Sequence, residues 1–164
     1  MAIELHSVSE KDISRLAEIF YQCLKNDYRE VLPPEVLEPF SETDSLELWQ
    51  KSYKSQSHLQ FIGAWGNGSL LGFAKFGGDP EGSEDGYLAS LYVDPGYSGQ
   101  GIGRMLLTHV LQELTAYPKT KLWVFEKNPR AIALYESLGF LRSGRTRTEA
   151  EWQALQCELV LDNS

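Results

Sequence analysis

The chain has 164 residues, 42% of them hydrophobic and 23% charged, with a formal net charge of −8 at pH 7. That length suits one domain over 1–164, and an acidic balance with aromatics not interleaved among basic residues argues against nucleic acid as a partner. No apolar run reaches membrane-spanning length, and Met1-Ala2-Ile3-Glu4-Leu5-His6 has neither the basic flank nor the apolar stretch of a secretory signal, so no membrane partner and a cytoplasmic setting are expected.

Residues 2–8 read as a strand and 10–25 as a helix, with Ser9 as its N-cap and Ile13, Leu16, Phe20, Cys23 and Leu24 on one face. Tyr28 to Pro39 is a proline-punctuated connection, and a second helix is expected over about 43–55. Leu59 to Trp65 and Leu70 to Phe76 flank Gly66-Asn67-Gly68-Ser69 as a hairpin. Asp79 to Asp85 is a polar loop and 87–93 a strand. A helix follows from Ile102 to about Ala116, with the stripe Ile102, Met105, Leu106, Val110, Leu111 and Leu114. Lys121 to Phe125 is a short strand and 130–138 a helix, and the chain closes with strands near 140–146 and 152–161. The order β-α-α-β-β-β-α-β-α-β-β gives a mixed α/β sheet. Cys157 alternates with Leu155, Leu159 and Leu161; like Cys23 it reads as a reduced core thiol.

Charge is unevenly spread. Residues 1–100 hold 7 lysines and arginines against 16 aspartates and glutamates, 101–147 hold 8 against 3, and 148–164 hold none against 4. The basic block begins inside a glycine-dense loop, Pro95-Gly96-Tyr97-Ser98-Gly99-Gln100-Gly101-Ile102-Gly103, that joins a strand to a helix. Glycines let backbone amides converge on an anion, and a helix start adds its positive dipole end, so the loop is a phosphate cradle. A P-loop is excluded, because no Lys-Ser or Lys-Thr follows a glycine. The spacing is also wrong for a dinucleotide fold. Glu126 does end the next strand where a ribose-binding acid would sit, but only 38 residues remain after it, too few for further βα units.

Two motifs then fall in order. Leu91-Tyr92-Val93-Asp94-Pro95 leads into Ser98-Gly99-Gln100-Gly101-Ile102-Gly103, and Asn128-Pro129-Arg130-Ala131-Ile132-Ala133-Leu134-Tyr135-Glu136-Ser137-Leu138-Gly139-Phe140 follows. Together they resemble the signatures of the GNAT superfamily of acetyl-coenzyme A-dependent N-acetyltransferases. The resemblance implies a mostly antiparallel sheet of six to seven strands with splayed central parallel strands and about four flanking helices. It implies acetyl-coenzyme A as co-substrate, with no metal, and a primary amine as acceptor.

The same resemblance supplies roles. Ser98, Gly99, Gln100, Gly101, Ile102, Gly103 and Arg104 would hold the pyrophosphate, with Arg130 and Lys127 adding attraction. Leu91, Tyr92 and Val93 would meet the pantetheine arm, and an amide near Val93 would stabilise the thioester oxygen. Asn128 would contact the pantetheine, although it also reads as an N-cap before Pro129. Tyr135 would protonate the departing thiolate, a task that suits a neutral phenol; the plain alternative for it is a core aromatic.

Two departures stand out. Ser98 replaces the usual Arg or Gln at the head of the loop, removing a cationic contact. Tyr87 stands where many members carry a catalytic Glu, so the proton acceptor is open among Glu84, Asp85, Tyr87, Tyr28, Glu30 and Glu35. His6, His58 and His109 offer little. Tyr28, Glu30 and Trp49 are expected at the acceptor side, and the acidic first half with Tyr28, Trp49 and Tyr53 favours a cationic or polyamine-like small molecule. A protein or peptide amine, a non-catalytic acyl-coenzyme A sensor and, remotely, a dinucleotide-dependent oxidoreductase are the alternatives. Family members often form homodimers; Trp152 reads either as such a contact or as intramolecular core.

Overall fold

The computed structural model describes residues 1–55 and 59–164, so His58 lies outside the described residues. The strands are β1 Ile3–Ser7, β2 Leu59–Gly66, β3 Ser69–Gly78, β4 Gly86–Val93, β5 Lys119–Phe125, β6 Leu141–Thr148 and β7 Leu155–Asp162. The helices are α1 Ile13–Asp27, α2 Pro34–Leu37, α3 Glu42–Lys54, α4 Ile102–Glu113 and α5 Pro129–Ser137. All seven strands join one sheet in the order β1-β2-β3-β4-β5-β7-β6. Every pairing is antiparallel except that of β4 with β5, which is parallel.

Local chemistry sets the element ends. Ser9 donates from both its amide and its hydroxyl to the Asp12 carboxylate at 2.9 Å, fixing a 3₁₀ turn, Glu10–Asp12, that runs into α1. Ser41 caps α3 by accepting from the Asp44 amide at 3.0 Å, while Asp44 accepts from the Ser41 amide at 2.9 Å. The β2–β3 turn has Asn67 at φ +52° and Gly68 at φ +79°, the left-handed pair that matches strand twist in a two-residue hairpin.

Each face of the sheet has its own core. On one, α1 and α3 bury Leu16, Phe20 and Trp49 against Phe73. On the other, α4 and α5 bury Leu106, Val110 and Ile132 against Leu122 and Leu159. Two expectations change here. The connection after α1 contains the one-turn α2, started by Pro34 at its first position. In α4, Met105 is 39% exposed whereas Leu107 is fully buried. At 100° per residue the buried arc centres on Val110, which takes in Leu107 and leaves Met105 outside.

The central feature is where β4 and β5 part. Their pairing covers only Gly86 with Thr120, Tyr87 with Lys121 and Leu88 with Leu122. On the other side of β4, Leu88 faces Phe76 and Ser90 faces Lys75, so Ala89 is an extra residue without a β3 partner. Such a bulge bends and twists its strand. Beyond it, 89–93 and 123–125 diverge and a cleft opens between them. Because the two strands are parallel, α4 and α5 both start at the carboxyl edge where the cleft has its mouth, the usual place for ligands in such sheets.

Candidate active site

The glycine loop forms one end of the cleft. Asp94 organises it: one carboxylate oxygen accepts from the Gly96 amide at 2.9 Å and the other meets the Arg15 guanidinium of α1 at 2.6 Å. Gly99 and Gly101 take φ of +79° and +82°, and a Cβ on either would meet nothing, so it is backbone conformation that calls for glycine there. Gly101 is the N-cap of α4, and the first turn carries no acidic residue. The loop's amides and the helix start therefore face an uncompensated positive end.

An outer groove runs from this loop along the open edge of β4. Leu91, Tyr92, Val93, Ser98, Gly99, Gly101, Ile102, Gly103 and Arg104 line it from one side, and Lys127, Asn128 and Arg130 from the other. Gln100 is exposed and its side chain does not line the groove. Arg104 is already tied to α5, donating to the Ser137 hydroxyl at 3.0 Å. The Asp94 amide donates back to Leu71 of β3 at 2.8 Å. By the alternation of an antiparallel ladder, Leu91 and Val93 then direct their amides and carbonyls away from β3, into the gap. Cys23 occupies the Val93 carbonyl, donating to it at 3.1 Å. Burial pushes the Cys23 thiol up to about 12, helped by Asp27, so it rests as a neutral donor.

An inner cavity of about 300 Å³ lies deeper between β4 and β5. Tyr135 lines it, 8% exposed, its ring edge-on to Phe140 at 5.8 Å. Burial alone drives its hydroxyl well above the ordinary phenol range, so it keeps its proton. Tyr28 and Tyr92 share the cavity; burial raises both phenols, and each also feels the other and Tyr135. Asn128 lines both spaces while its side-chain oxygen caps α5, accepting from the Ala131 amide at 3.3 Å. Trp49 lines the inner cavity as well.

The candidate proton acceptors separate. Glu84 and Glu35 are exposed and line neither space. Asp85 is turned to Lys121 at 3.5 Å, beside the Asp79–Lys121 pair at 3.0 Å. Glu30 borders the outer groove and not the inner cavity. Tyr87 does reach the inner cavity; burial raises its phenol, against an opposing pull from Arg147. The cavity's carboxylates come from the β6–β7 connection instead: Glu149 and Glu151, with Trp152 beside them. Glu149 meets Arg147 at 3.4 Å, and Arg147 in turn lies 4.5 Å over the Trp123 ring and donates to Gln156 at 2.6 Å. Sequence reasoning missed Glu149, Glu151, Arg147 and Trp123, since only the return of β7 beside β5 brings them to β4. A Glu-x-Glu pair opening an acidic tail after a basic block was the one available signal. Trp152 packs within the chain, against Phe20 at 6.1 Å and Phe40 at 6.0 Å.

A splayed parallel pair with an amide-rich loop at its mouth and a protonated phenol inside defines an acyl-transfer class of site. The acetyltransferase (GNAT) family profile matches residues 18–140. The chain belongs to that family and is an N-acetyltransferase. It is 32% identical over 109 residues to the spermine/spermidine N(1)-acetyltransferase of Bacillus subtilis strain 168, spanning 62% of this chain and 72% of that protein. Over 59 residues it is 48% identical to the [ribosomal protein bS18]-alanine N-acetyltransferase of Escherichia coli K12, spanning 35% of this chain and 40% of that one. The fold is shared with the PaiA N-acetyltransferase of Thermoplasma acidophilum solved in complex with coenzyme A, at TM-score 0.73, 23% identity and coverage of 96% and 98%. Among the described residues, no helix is long and apolar enough to cross a membrane.

Proposed function

We propose that the chain, acting as one catalytic domain, transfers the acetyl group of acetyl-coenzyme A to a cationic primary amine by direct attack in a ternary complex. The observation that carries this reading is the parting of β4 from β5 after Leu88 and Leu122, with the glycine loop at its mouth and Tyr135 inside. The Thermoplasma structure with coenzyme A supports the same co-substrate here.

In this reading the loop amides and the start of α4 hold the pyrophosphate, with Ser98, Arg104, Lys127 and Arg130 around it. Leu91 to Val93 meet the pantetheine arm, and the Val93 amide stabilises the thioester oxygen as it takes up charge. The ammonium first gives one proton to Glu149, the half-buried carboxylate of the inner cavity, and so frees its lone pair. The amine then forms the new C–N bond, the C–S bond breaks with its electron pair going to sulfur, Tyr135 gives its proton to the thiolate, and the nitrogen returns its second proton to Tyr135 as the amide forms. Nothing supports an acyl-enzyme at Cys23, a neutral thiol that donates to the Val93 carbonyl and whose proton the nearby Asp27 helps to hold.

The carboxylates of Glu149 and Glu151 favour a positively charged acceptor. The Bacillus relative's name supports a polyamine, and the Escherichia relative's a protein α-amine. The test is release of free thiol from acetyl-coenzyme A over a panel of amines. Turnover with any of them eliminates the acyl-coenzyme A sensor; binding without turnover on every one would favour it.

A further inference from the structure

Among the described residues, the charged side chains that line the inner cavity are Arg147, Glu149 and Glu151, one positive charge against two negative. The phenols around them add no charge, because burial raises those of Tyr28, Tyr87, Tyr92 and Tyr135. Arg147 is held where it is. Its guanidinium lies over the Trp123 ring at 4.5 Å, donates to the buried Gln156 at 2.6 Å and meets Glu149 at 3.4 Å. All three partners line the same cavity, so the positive charge stays at its wall. Glu151 is exposed, and water weakens its pull.

Much of the remaining lining is aromatic. Tyr28, Tyr87, Tyr92, Phe125 and Trp152 each keep part of their surface exposed, and all line this one cavity. Apolar surface gathered in a cavity and left uncovered by folding is what an apolar ligand covers. Rings also attract cations, but the Trp123 indole is already taken by Arg147 at 4.5 Å and Arg145 at 5.3 Å. One net negative charge balances one ammonium. A second ammonium has no carboxylate left for it, since Arg147 takes up one of the two. We propose that the acceptor is a primary amine with a single positive charge and an apolar arm, and that Arg147 is the residue that disfavours polycationic amines. The proposal rests on the amine-transfer reading above: the ammonium meets Glu149, and the arm lies along the aromatic wall.

The experiment compares acceptors of matched outline on the whole chain with acetyl-coenzyme A, reading thiol release. Pentylamine and 1,4-diaminobutane differ in a terminal methyl group against a second ammonium; spermidine represents longer polyamines. We expect kcat/KM for pentylamine at least about tenfold above both, the size of effect that one unbalanced charge has in a half-buried site. In Arg147→Met the preference over 1,4-diaminobutane should fall to near one or invert, whereas Arg147→Lys, which keeps the charge, should hold it. A merely structural role would lower the use of both amines alike and leave their ratio where it was. Should Arg147→Met not fold, salt decides on the wild type: the preference should shrink as ionic strength rises, because screening weakens repulsion between charges and not apolar contact. Equal or better use of 1,4-diaminobutane or spermidine by the wild type, a ratio that Arg147→Met leaves unchanged, its loss in Arg147→Lys, or a preference indifferent to salt would overturn the proposal. Thiol release from none of the amines would instead sink the amine-transfer reading itself.

Discussion

Replacing Tyr135 by Phe removes one oxygen from the inner cavity and little else. The ring keeps its edge-on contact with Phe140, so little packing is lost. Stability should change by less than about 1 kcal/mol. If Tyr135 is the proton donor, turnover should fall at least about tenfold, and about a hundredfold for a typical general acid, roughly 2.7 kcal/mol of barrier. Acetyl-coenzyme A affinity should hold, because the hydroxyl acts on sulfur only as the C–S bond breaks. The assay is steady-state thiol release for kcat and KM, with calorimetry for the co-substrate and a thermal melt for the fold. The pH profile adds a second check. Burial drives the Tyr135 phenol upward, so wild-type kcat should show no loss of this acid up to about pH 10. Equal kcat in the variant, with the fold intact, would remove Tyr135 from the chemistry.

Other predictions follow from the loop, the charge pairs and the thiols. Gly101→Ala forces an L side chain to φ +82° and should cost about 1 kcal/mol while weakening acetyl-coenzyme A binding; Gly103→Ala places its Cβ 3.7 Å from Val93, an ordinary contact, and should melt no lower than wild type. A melt and a titration of each variant separate the two. Burial raises the Asp79 carboxyl, but the Ser83 hydroxyl, the Glu81 amide and the Lys121 ammonium outweigh it and hold it at about 2, against an ordinary value of 3.8. That depressed value stabilises the fold above the ordinary value, by about 2 kcal/mol at pH 7, and is lost as pH falls through about 2. Asp79→Asn should therefore lose that much at pH 7 in denaturant melts and converge on wild type near pH 2. Burial pushes the thiols of Cys23 and Cys157 to about 12 and about 11, so iodoacetamide at pH 8 should label neither until the protein is unfolded, as mass spectrometry would show.

Most of the architecture was legible because periodicity and punctuation agree. Ser9 announces a helix, Asn67-Gly68 announces a hairpin, and the strand ending at Val93 runs into its glycine loop without ambiguity. The outer groove was legible for the same reason: most of the residues that line it lie in two short stretches, Leu91 to Arg104 and Lys127 to Leu134. The inner cavity was legible only in part. Tyr28, Trp49 and Tyr87 were singled out in the sequence and line it, whereas Trp123 and Glu149 come from β5 and the β6–β7 connection, which only the strand order β4-β5-β7 brings beside them. Two things had no local signal. The Ala89 bulge shows only as a register shift against β3. The buried indole nitrogen of Trp49, without a hydrogen-bond partner among the described residues, shows only once every neighbour is in place. Met105 was misplaced because an apolar residue one step off the buried arc looks the same in sequence as one on it.

Calorimetric titration with acetyl-coenzyme A, run beside NADH, tests the central claim most directly. Saturable one-to-one binding of acetyl-coenzyme A, with no heat from NADH, is the expected result despite Ser98 at the head of the loop. Absence of acetyl-coenzyme A binding by folded protein would contradict the account, since the cleft between β4 and β5 would then hold something else.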